Sequence, residues 1–414
     1  MSKGKKVLVT LIIIFVTLSL ICTGLYIGYL KVEEHIEEHT NLWKKTEYVA
    51  FAKEASDKPM YVPIDTFKKE METYRPKWRD YNNYTYYNIV TEEEQLIYKI
   101  YEYAMDNNMP YIYIEGSLIP AYKDIHNAIT LLSLDSAVID QNTQLDYINA
   151  QYEIYQQYLY RVMVKKVKCV QVHIPDFKEE KTKQIEECIT KAEEILENLG
   201  IEKMSTDKEK AEAIYLYLGK NVKYRDYEDV KSQHFLHDAL IENSSNCDGY
   251  ANAFSLMCNM AGIDCFEKKN TPQKGDKTGH TWNTVRLDDV WYNVDATASP
   301  SYYEGNLEGI PYRFGYSDNQ QSDRHQYTGC VPECNTDMIP ADCTFKSTKD
   351  KGIADKASKA LKNTDKDYIL LVFDEFHKED AENIMQDVAN TTYSGIVYVH
   401  VDGHYHTLVL IKYQ

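Results

Sequence analysis

Hydrophobic positions recur at helical spacing through the middle of this chain. Between Asp176 and Gly200, the residues Ile185, Ile189, Ala192, Leu196 and Leu199 fall on one stripe, and Gly200 supplies a stop. Thr206-Asp207-Lys208-Glu209 has the form of a capping box, and the helix it opens turns Ala211, Ile214, Tyr215 and Leu218 inward, with Gly219 as its end. Asn221 to Tyr227 is then extended, and His237 to Ile241 makes a short helical turn. A polar loop, Ser244-Ser245-Asn246, runs into a third helix from Cys247 to about Ala261, with Tyr250, Phe254, Met257 and Cys258 inward and Gly262 as the stop. The period then changes to two. Ile263 to Lys269 is a strand, and His280–Leu287 and Val290–Asp295 alternate on either side of Asp288-Asp289, which predicts a β-hairpin.

The flanks are less regular. Thr91-Glu92-Glu93-Glu94 is a second capping box, ahead of a face of Ile97, Ile100, Tyr101 and Ala104. Pro110 to Glu115 and Val162 to Ile174 read as strands, Asp124 to Leu134 as a helix, and the Tyr- and Gln-rich Asp146 to Tyr160 is undecided between types. Ser299 to Phe345 shows no period and is expected to be long loops around the core. Thr348 to Asp367 is lysine-rich and reads as a linker with a short helix. The tail predicts a strand from Tyr368 to Phe373, a helix from Lys378 to Ala389, and a hairpin of Ile396–Val401 and His404–Tyr413 through Asp402-Gly403.

The N-terminus carries a different signal. Lys3, Lys5 and Lys6 precede an uncharged run from Val7 to Leu30, long enough to cross about 30 Å of hydrocarbon. It lacks an Ala-x-Ala cleavage pattern, so an uncleaved single-pass anchor is expected. The lysines before it and Glu33, Glu34, Glu37 and Glu38 after it place residues 1–6 in the cytoplasm and the bulk of the chain outside the cell. A net charge of −18 over 414 residues argues against a nucleic-acid partner, which would require a basic face.

Of the nine cysteines, Cys22 falls in the anchor, Cys258 and Cys265 read as buried free thiols, and Cys169 and Cys188 are isolated. Cys330, Cys334 and Cys343 cluster near His325 without the spacing of a zinc finger, so a disulfide within that cluster is expected and no metal site. In the tail, a two-residue turn puts His404 and His406 on one face and His400 on the other, which prevents convergence on a metal.

Cys247 carries the chemistry. At the start of a helix a thiol meets unpaired N–H groups and the positive end of the dipole, which favour a thiolate. The predicted hairpin brings His280 and Asp295 together at one end of a sheet, so nucleophile, base and orienting carboxylate are all available. The backbone N–H of Cys247 points to where an oxyanion would form, and Tyr224 and Gln233 are candidates for a second donor. Asp248 opposes the scheme, since a neighbouring carboxylate disfavours the thiolate; Trp282 is a candidate for the cleft.

These motifs resemble the transglutaminase-like superfamily, a papain-like cysteine fold. The family's helix appears as Cys247-Asp248-Gly249-Tyr250-Ala251, and its two strands as His280-Thr281-Trp282-Asn283-Thr284-Val285 and Trp291-Tyr292-Asn293-Val294-Asp295-Ala296-Thr297. The chain departs from the family in having Ser245-Asn246 before the cysteine, in place of Gly and an apolar residue, and Asp289 in the hairpin turn, in place of Gly. The resemblance implies Cys247 as nucleophile, His280 as base, Asp295 as orienter, no cofactor, and a helix packed on an antiparallel sheet. No aspartate-rich calcium loop of the animal crosslinking enzymes is present.

The expected chain is therefore α+β: a transmembrane helix at 7–30, a juxtamembrane stalk at 31–76, a small α+β spacer domain at 77–175, a transglutaminase-like core at 176–345, and a linker with a C-terminal β-α-β-β unit at 346–414. The expected function is a surface-anchored cysteine peptidase or amidase acting on protein or cell-wall peptide through a thioester. A crosslinking protein-glutamine acyltransferase and a catalytically silent binding scaffold are the alternatives.

Overall fold

The computed structural model describes residues 15, 17–28, 48–54, 57–77, 81–115, 131, 132, 134–136, 138, 151–159, 162–173, 179–225, 235–270, 279–297, 310–320, 332–339, 341–392, 396–402 and 406–412. Three sheets of four or five strands, with one two-stranded pair, organise them.

The first sheet is antiparallel and five-stranded. It consists of β1 (Tyr48–Ala52), β2 (Met60–Pro63), β3 (Tyr111–Glu115), β4 (Gln151–Leu159) and β5 (Val162–His173) in the order β2-β1-β3-β5-β4. Helices α1 (Ile64–Met71) and α3 (Glu92–Asp106) pack on it, with the short α2 (Thr85–Ile89) between them in sequence. The Thr91 capping box forms as expected, with Glu94 N–H donating to Thr91 Oγ1 at 3.2 Å. Part of the region read as a stalk is thus inside a domain. Val49 and Phe51 share a core with Ile64, Phe67, Ile97 and Ile112, an apolar set too short in each segment to stand out among charged neighbours. The undecided Tyr- and Gln-rich segment is β4.

The second sheet is the central one. Helices α4 (Glu179–Leu199), α5 (Asp207–Asn221), α6 (Phe235–Leu240) and α7 (Cys247–Met260) lie on one face of β8 (Cys265–Lys269), β9 (Thr281–Leu287), β10 (Val290–Val294) and β11 (Phe314–Tyr316). The order is β11-β10-β9-β8, antiparallel throughout. A short parallel pair, β6 (Lys223–Tyr224) with β7 (Ser244–Ser245), lies just ahead of α7. Helix α5 passes through Gly219 instead of stopping there, and Asn221 Nδ2 closes its last turn by donating to the Tyr217 carbonyl at 2.8 Å. The hairpin turn forms at Asp288 (φ 49°) and Asp289 (φ 66°), the two positive angles a type I′ turn requires.

Helix α7 is buried on every side from Cys247 to Cys258, more than the single inward face expected. Its polar side chains have partners in the sheet: Asn252 Nδ2 donates to Glu267 Oε1 at 2.5 Å and Ser255 Oγ to the Cys265 carbonyl at 3.1 Å. Cys258 and Cys265 are buried free thiols, as expected.

The segment after the hairpin, expected to be loops, supplies β11 as the edge of this sheet and β12 (Cys343–Ser347) to the third sheet. That sheet also contains β13 (Tyr368–Glu375), β14 (Ile396–Asp402) and β15 (Thr407–Lys412), ordered β12-β13-β15-β14, with β12 parallel to β13. The lysine-rich linker is helix α8 (Ile353–Asn363), which buries Ile353, Ala357 and Leu361 against the sheet together with Ala381, Ile384 and Val388 of α9 (Ala381–Thr392). Its lysines mask an ordinary amphipathic stripe. Asp402 pairs with Thr407, so the two strands are not joined by a two-residue Asp402-Gly403 turn. His406 Nδ1 lies 3.2 Å from the Asp374 carbonyl; His404 and the His400 side chain fall outside the described residues.

Cys334 and Cys343 are both free, so the expected disulfide does not join them; Cys330 lies outside the described residues. Cys334 is held instead beside Lys268, with Nζ 3.8 Å from Sγ. At the N-terminus, residues 17–28 are helical and expose Leu18, Leu20, Ile21 and Leu25, while among the described residues no helix is long and apolar enough to cross a membrane.

Candidate active site

The site is built where α7 begins against the open end of the hairpin. Asn246 caps α7, its Oδ1 accepting from Gly249 N–H at 3.3 Å. Gly249 permits the close approach of helix and loop: a Cβ there would lie 2.5 Å from the Phe235 carbonyl oxygen and 2.0 Å from Ser245 Oγ. Cys247 is thereby fixed in the first turn, where it is 2% exposed.

His280 stands one residue ahead of β9. Its ring stacks on Trp282, with centroids 6.0 Å apart and planes 18° from parallel. Asn270 brackets it, accepting from the His280 N–H through Oδ1 and donating its own N–H to the His280 carbonyl at 3.1 Å. Nε2 is 2.9 Å from Asp295 Oδ2, and the side chain also hydrogen-bonds to Cys247, which leaves Nδ1 for the sulfur. The structure brings the side chains of Cys247, His280 and Asp295 together.

Asp295 is fully buried and holds more than the imidazole. Arg313 Nη1 lies 3.3 Å from Oδ2, and Oδ1 accepts from Thr297 N–H at 3.0 Å and from the Thr297 hydroxyl. Arg313 also accepts the Asp295 N–H at its carbonyl, 3.0 Å away, so the residue just ahead of β11 fixes both ends of the carboxylate residue. Burial alone would raise the Asp295 pKa. The charges of His280 and Arg313, with the hydrogen bonds from His280 and Thr297, overcome it and hold the carboxyl well below the usual range. Burial likewise disfavours the imidazolium, yet the charge and hydrogen bond of Asp295, then those of Cys247, push the His280 pKa up to about 10. At neutral pH the arrangement is an imidazolium between a carboxylate and a sulfur.

The other expected site residues divide. Asp248 is turned away from the role of an opposing charge, accepting from Thr281 Oγ1 at 2.6 Å with Lys269 Nζ 3.8 Å away. Trp282 is fully buried and serves as the plate under His280, with Nε1 donating to Asn293 Oδ1 at 3.3 Å; it is no cleft wall. Tyr224 sits on β6 opposite Ser245, two residues before the cysteine. Gln233 falls outside the described residues. Below the plate, buried Lys268 binds Asn293 Oδ1 at 2.9 Å and Asp318 Oδ1 at 3.2 Å. Arg313, Asn270 and Lys268 were missed because each acts through a partner ten or more residues away, and Thr297 because its hydrogen bond to Asp295 depends on the turn that follows β10. Among the described residues no three His, Cys, Asp or Glu side chains gather as a metal-holding group.

A thiol at a helix start, an imidazole and a buried carboxylate on adjoining strands form the constellation used by acyl-transfer cysteine sites. Residues 195–296, which contain all three groups, match the transglutaminase-like superfamily, and this part of the chain is a transglutaminase-like domain. The kyphoscoliosis peptidase of Homo sapiens is 28% identical over 136 residues, 29% of this chain and 19% of that protein. That of Mus musculus is 32% identical over 113 residues, 23% of this chain and 16% of that protein. The chain thus spans less than a fifth of the length of these curated relatives. Among solved structures, a TGase is 13% identical with a TM-score of 0.25, covering 41% of this chain and 50% of its own. The periplasmic domain of TgpA from Pseudomonas aeruginosa is 14% identical with a TM-score of 0.23, covering 38% and 65%.

Proposed function

We propose that this chain is a surface-anchored cysteine peptidase or amidase that opens amide bonds in protein or cell-wall peptide through a thioester on Cys247. The observation that carries the proposal is the position of His280, bonded on one side to buried Asp295 and on the other to Cys247. The Cys247 thiolate attacks the amide carbon and the carbonyl electron pair moves onto oxygen. Collapse of that adduct expels the amine, which takes its proton from the His280 imidazolium. Water, deprotonated by the now neutral ring, resolves the thioester. Asp295 stays ionised and holds the ring throughout.

The peptidase name of the two mammalian relatives supports hydrolysis over transfer to an amine. The test is mass spectrometry of casein and wall-peptide digests with added methylamine. Shortened peptides lost in Cys247→Ala support the proposal. Methylamide products at glutamine support acyl transfer from the same thioester, and equal products from Cys247→Ala overturn both. The anchor belongs to the same proposal and rests on Lys3, Lys5 and Lys6 ahead of the uncharged 7–30 run, with the exposed apolar side chains of residues 17–28. Protease shaving of intact cells that leaves the C-terminal part fully protected refutes it.

A further inference from the structure

We infer that the side-chain amide of Asn246 is an oxyanion donor of this site, acting with the backbone N–H of Cys247. The inference rests on the proposed acyl transfer at Cys247 and names a group that completes it. Attack of the sulfur turns a neutral carbonyl oxygen into an anion, and hydrogen-bond donors aimed at that oxygen supply a large part of the stabilisation in such reactions. One donor is available by position: the first-turn N–H of Cys247 has no acceptor one turn back within its own helix.

Asn246 supplies the second. The residue is fully buried, and its Oδ1 is committed to Gly249 N–H at 3.3 Å, which lays the amide across the mouth of α7. Nδ2 is bonded to the same carbon, so it lies at that mouth beside the first-turn N–H groups. It has no hydrogen-bond partner among the described residues. A buried N–H donor without an acceptor is unfavourable, and folded proteins rarely leave one idle without a use for it. Here the missing acceptor is an oxygen that exists only when substrate is attached to the neighbouring sulfur. Asparagine performs both tasks because its amide accepts through one atom and donates through the other. Serine and aspartate cap a helix equally well but cannot hold the cap and present an amide N–H.

That difference is the test. The full chain is mixed with p-nitrophenyl acetate, and the burst of p-nitrophenolate reports acylation, which passes through an oxyanion. In parallel, iodoacetamide alkylates Cys247 by direct displacement at carbon, which forms no oxyanion and reports only the thiolate and its access. Asn246→Ser and Asn246→Asp are compared with the parent chain. The expected result for Asn246→Ser is a burst slower by about 10²-fold with alkylation within twofold of the parent. Asn246→Asp keeps the capping acceptor, and its repulsive charge slows the burst at least as much. A burst at the parental rate in Asn246→Ser overturns the inference. Loss of acylation and alkylation in parallel also overturns it, because the amide would then act only by holding the helix start. A parent chain with no Cys247-dependent burst overturns the acyl-transfer reading beneath it.

Discussion

Replacing Asp295 with asparagine isolates the charge on which the site depends. The substitution keeps the shape and an oxygen for His280 Nε2, 2.9 Å away in the parent, but removes the anion. The magnitude can be reached by two routes. An anion and a cation 2.9 Å apart attract by roughly 6 kcal/mol at an effective dielectric constant of about 20. An imidazole moved from 6.5 to about 10 holds its proton tighter by roughly 5 kcal/mol. Both include the opposing effect of burial only in part, so they are upper values, yet either is large enough to decide the protonation state. Without the anion, the burial that opposes the imidazolium is no longer outweighed by the carboxylate, and the ring holds its proton less tightly. A thiolate is favoured by a neighbouring cation, so with the imidazolium lost iodoacetamide should modify Cys247 about 10-fold more slowly at pH 7 than in the parent. The assay is the pseudo-first-order loss of Cys247 thiol by mass spectrometry from pH 5 to 10, with circular dichroism as a check that Arg313, left 3.3 Å from a neutral amide, has not unfolded the chain. Parental alkylation rates in Asp295→Asn at pH 7 would refute the ion-pair reasoning.

The same geometry sets a pH dependence on stability. Because the His280 pKa is raised on folding, its contribution is complete below about 6.5 and is lost as pH rises towards about 10. The thermal midpoint should therefore fall between those values more in the parent than in His280→Ala, and imidazole proton resonances should titrate near the upper value. Asp295 acts in the opposite direction: its depressed pKa gives stability that is present above the ordinary carboxyl range and lost only in strong acid. Gly249→Ala should destabilise by about 1–3 kcal/mol in urea titrations despite the better helix propensity of alanine, because the Phe235 carbonyl, 2.5 Å from the new Cβ, is backbone and cannot swing aside. A neutral or stabilising outcome would mean the loop before α7 yields freely. Lys268→Ala should cost about 3–5 kcal/mol by leaving Asp318 and Asn293 without their buried cation, and a loss below about 1 kcal/mol would show that the ion pair is dispensable.

The grouping of Cys247, His280 and Asp295 was legible because each lies beside a feature that sequence marks plainly. Asn246 announces the start of α7, and Asp288-Asp289 announces the hairpin. Once the turn is placed, register follows outward from Leu287 opposite Val290 to Asn283 opposite Val294. One further step sets Trp282 opposite Asp295, and two beyond that set His280 opposite Thr297. His280 and Asp295 are therefore diagonal neighbours across the ladder, a span that a histidine and a carboxylate can bridge. Stacking of the ring on Trp282, two residues along the same face, turns it towards that diagonal. Arg313 offered no such mark. It stands just ahead of a three-residue strand whose alternation is interrupted by Gly315 at φ 78°, packed against Met338. The polar residues of α7 misled in another way, since Asp248, Asn252 and Ser255 look like a solvent face yet bond to Thr281, Glu267 and Cys265 inside.

The flanking units were read as a spacer and a tail because neither carries chemistry, but the central sheet gives them work. Its face away from α7 is covered at one place by Tyr86, Leu131 and Leu134 of the N-terminal unit, packed on Phe266 with ring centroids of Tyr86 and Phe266 4.9 Å apart. At another, Val372 of β13 joins Tyr316 and Ile339 against Trp282. The indole that steadies His280 on one side is thus pressed from the other by the C-terminal sheet. A transglutaminase-like core whose imidazole rests on such a plate leans on the C-terminal sheet for the stiffness of its site, and removing β13 should loosen the ring before it unfolds the helix that bears the sulfur.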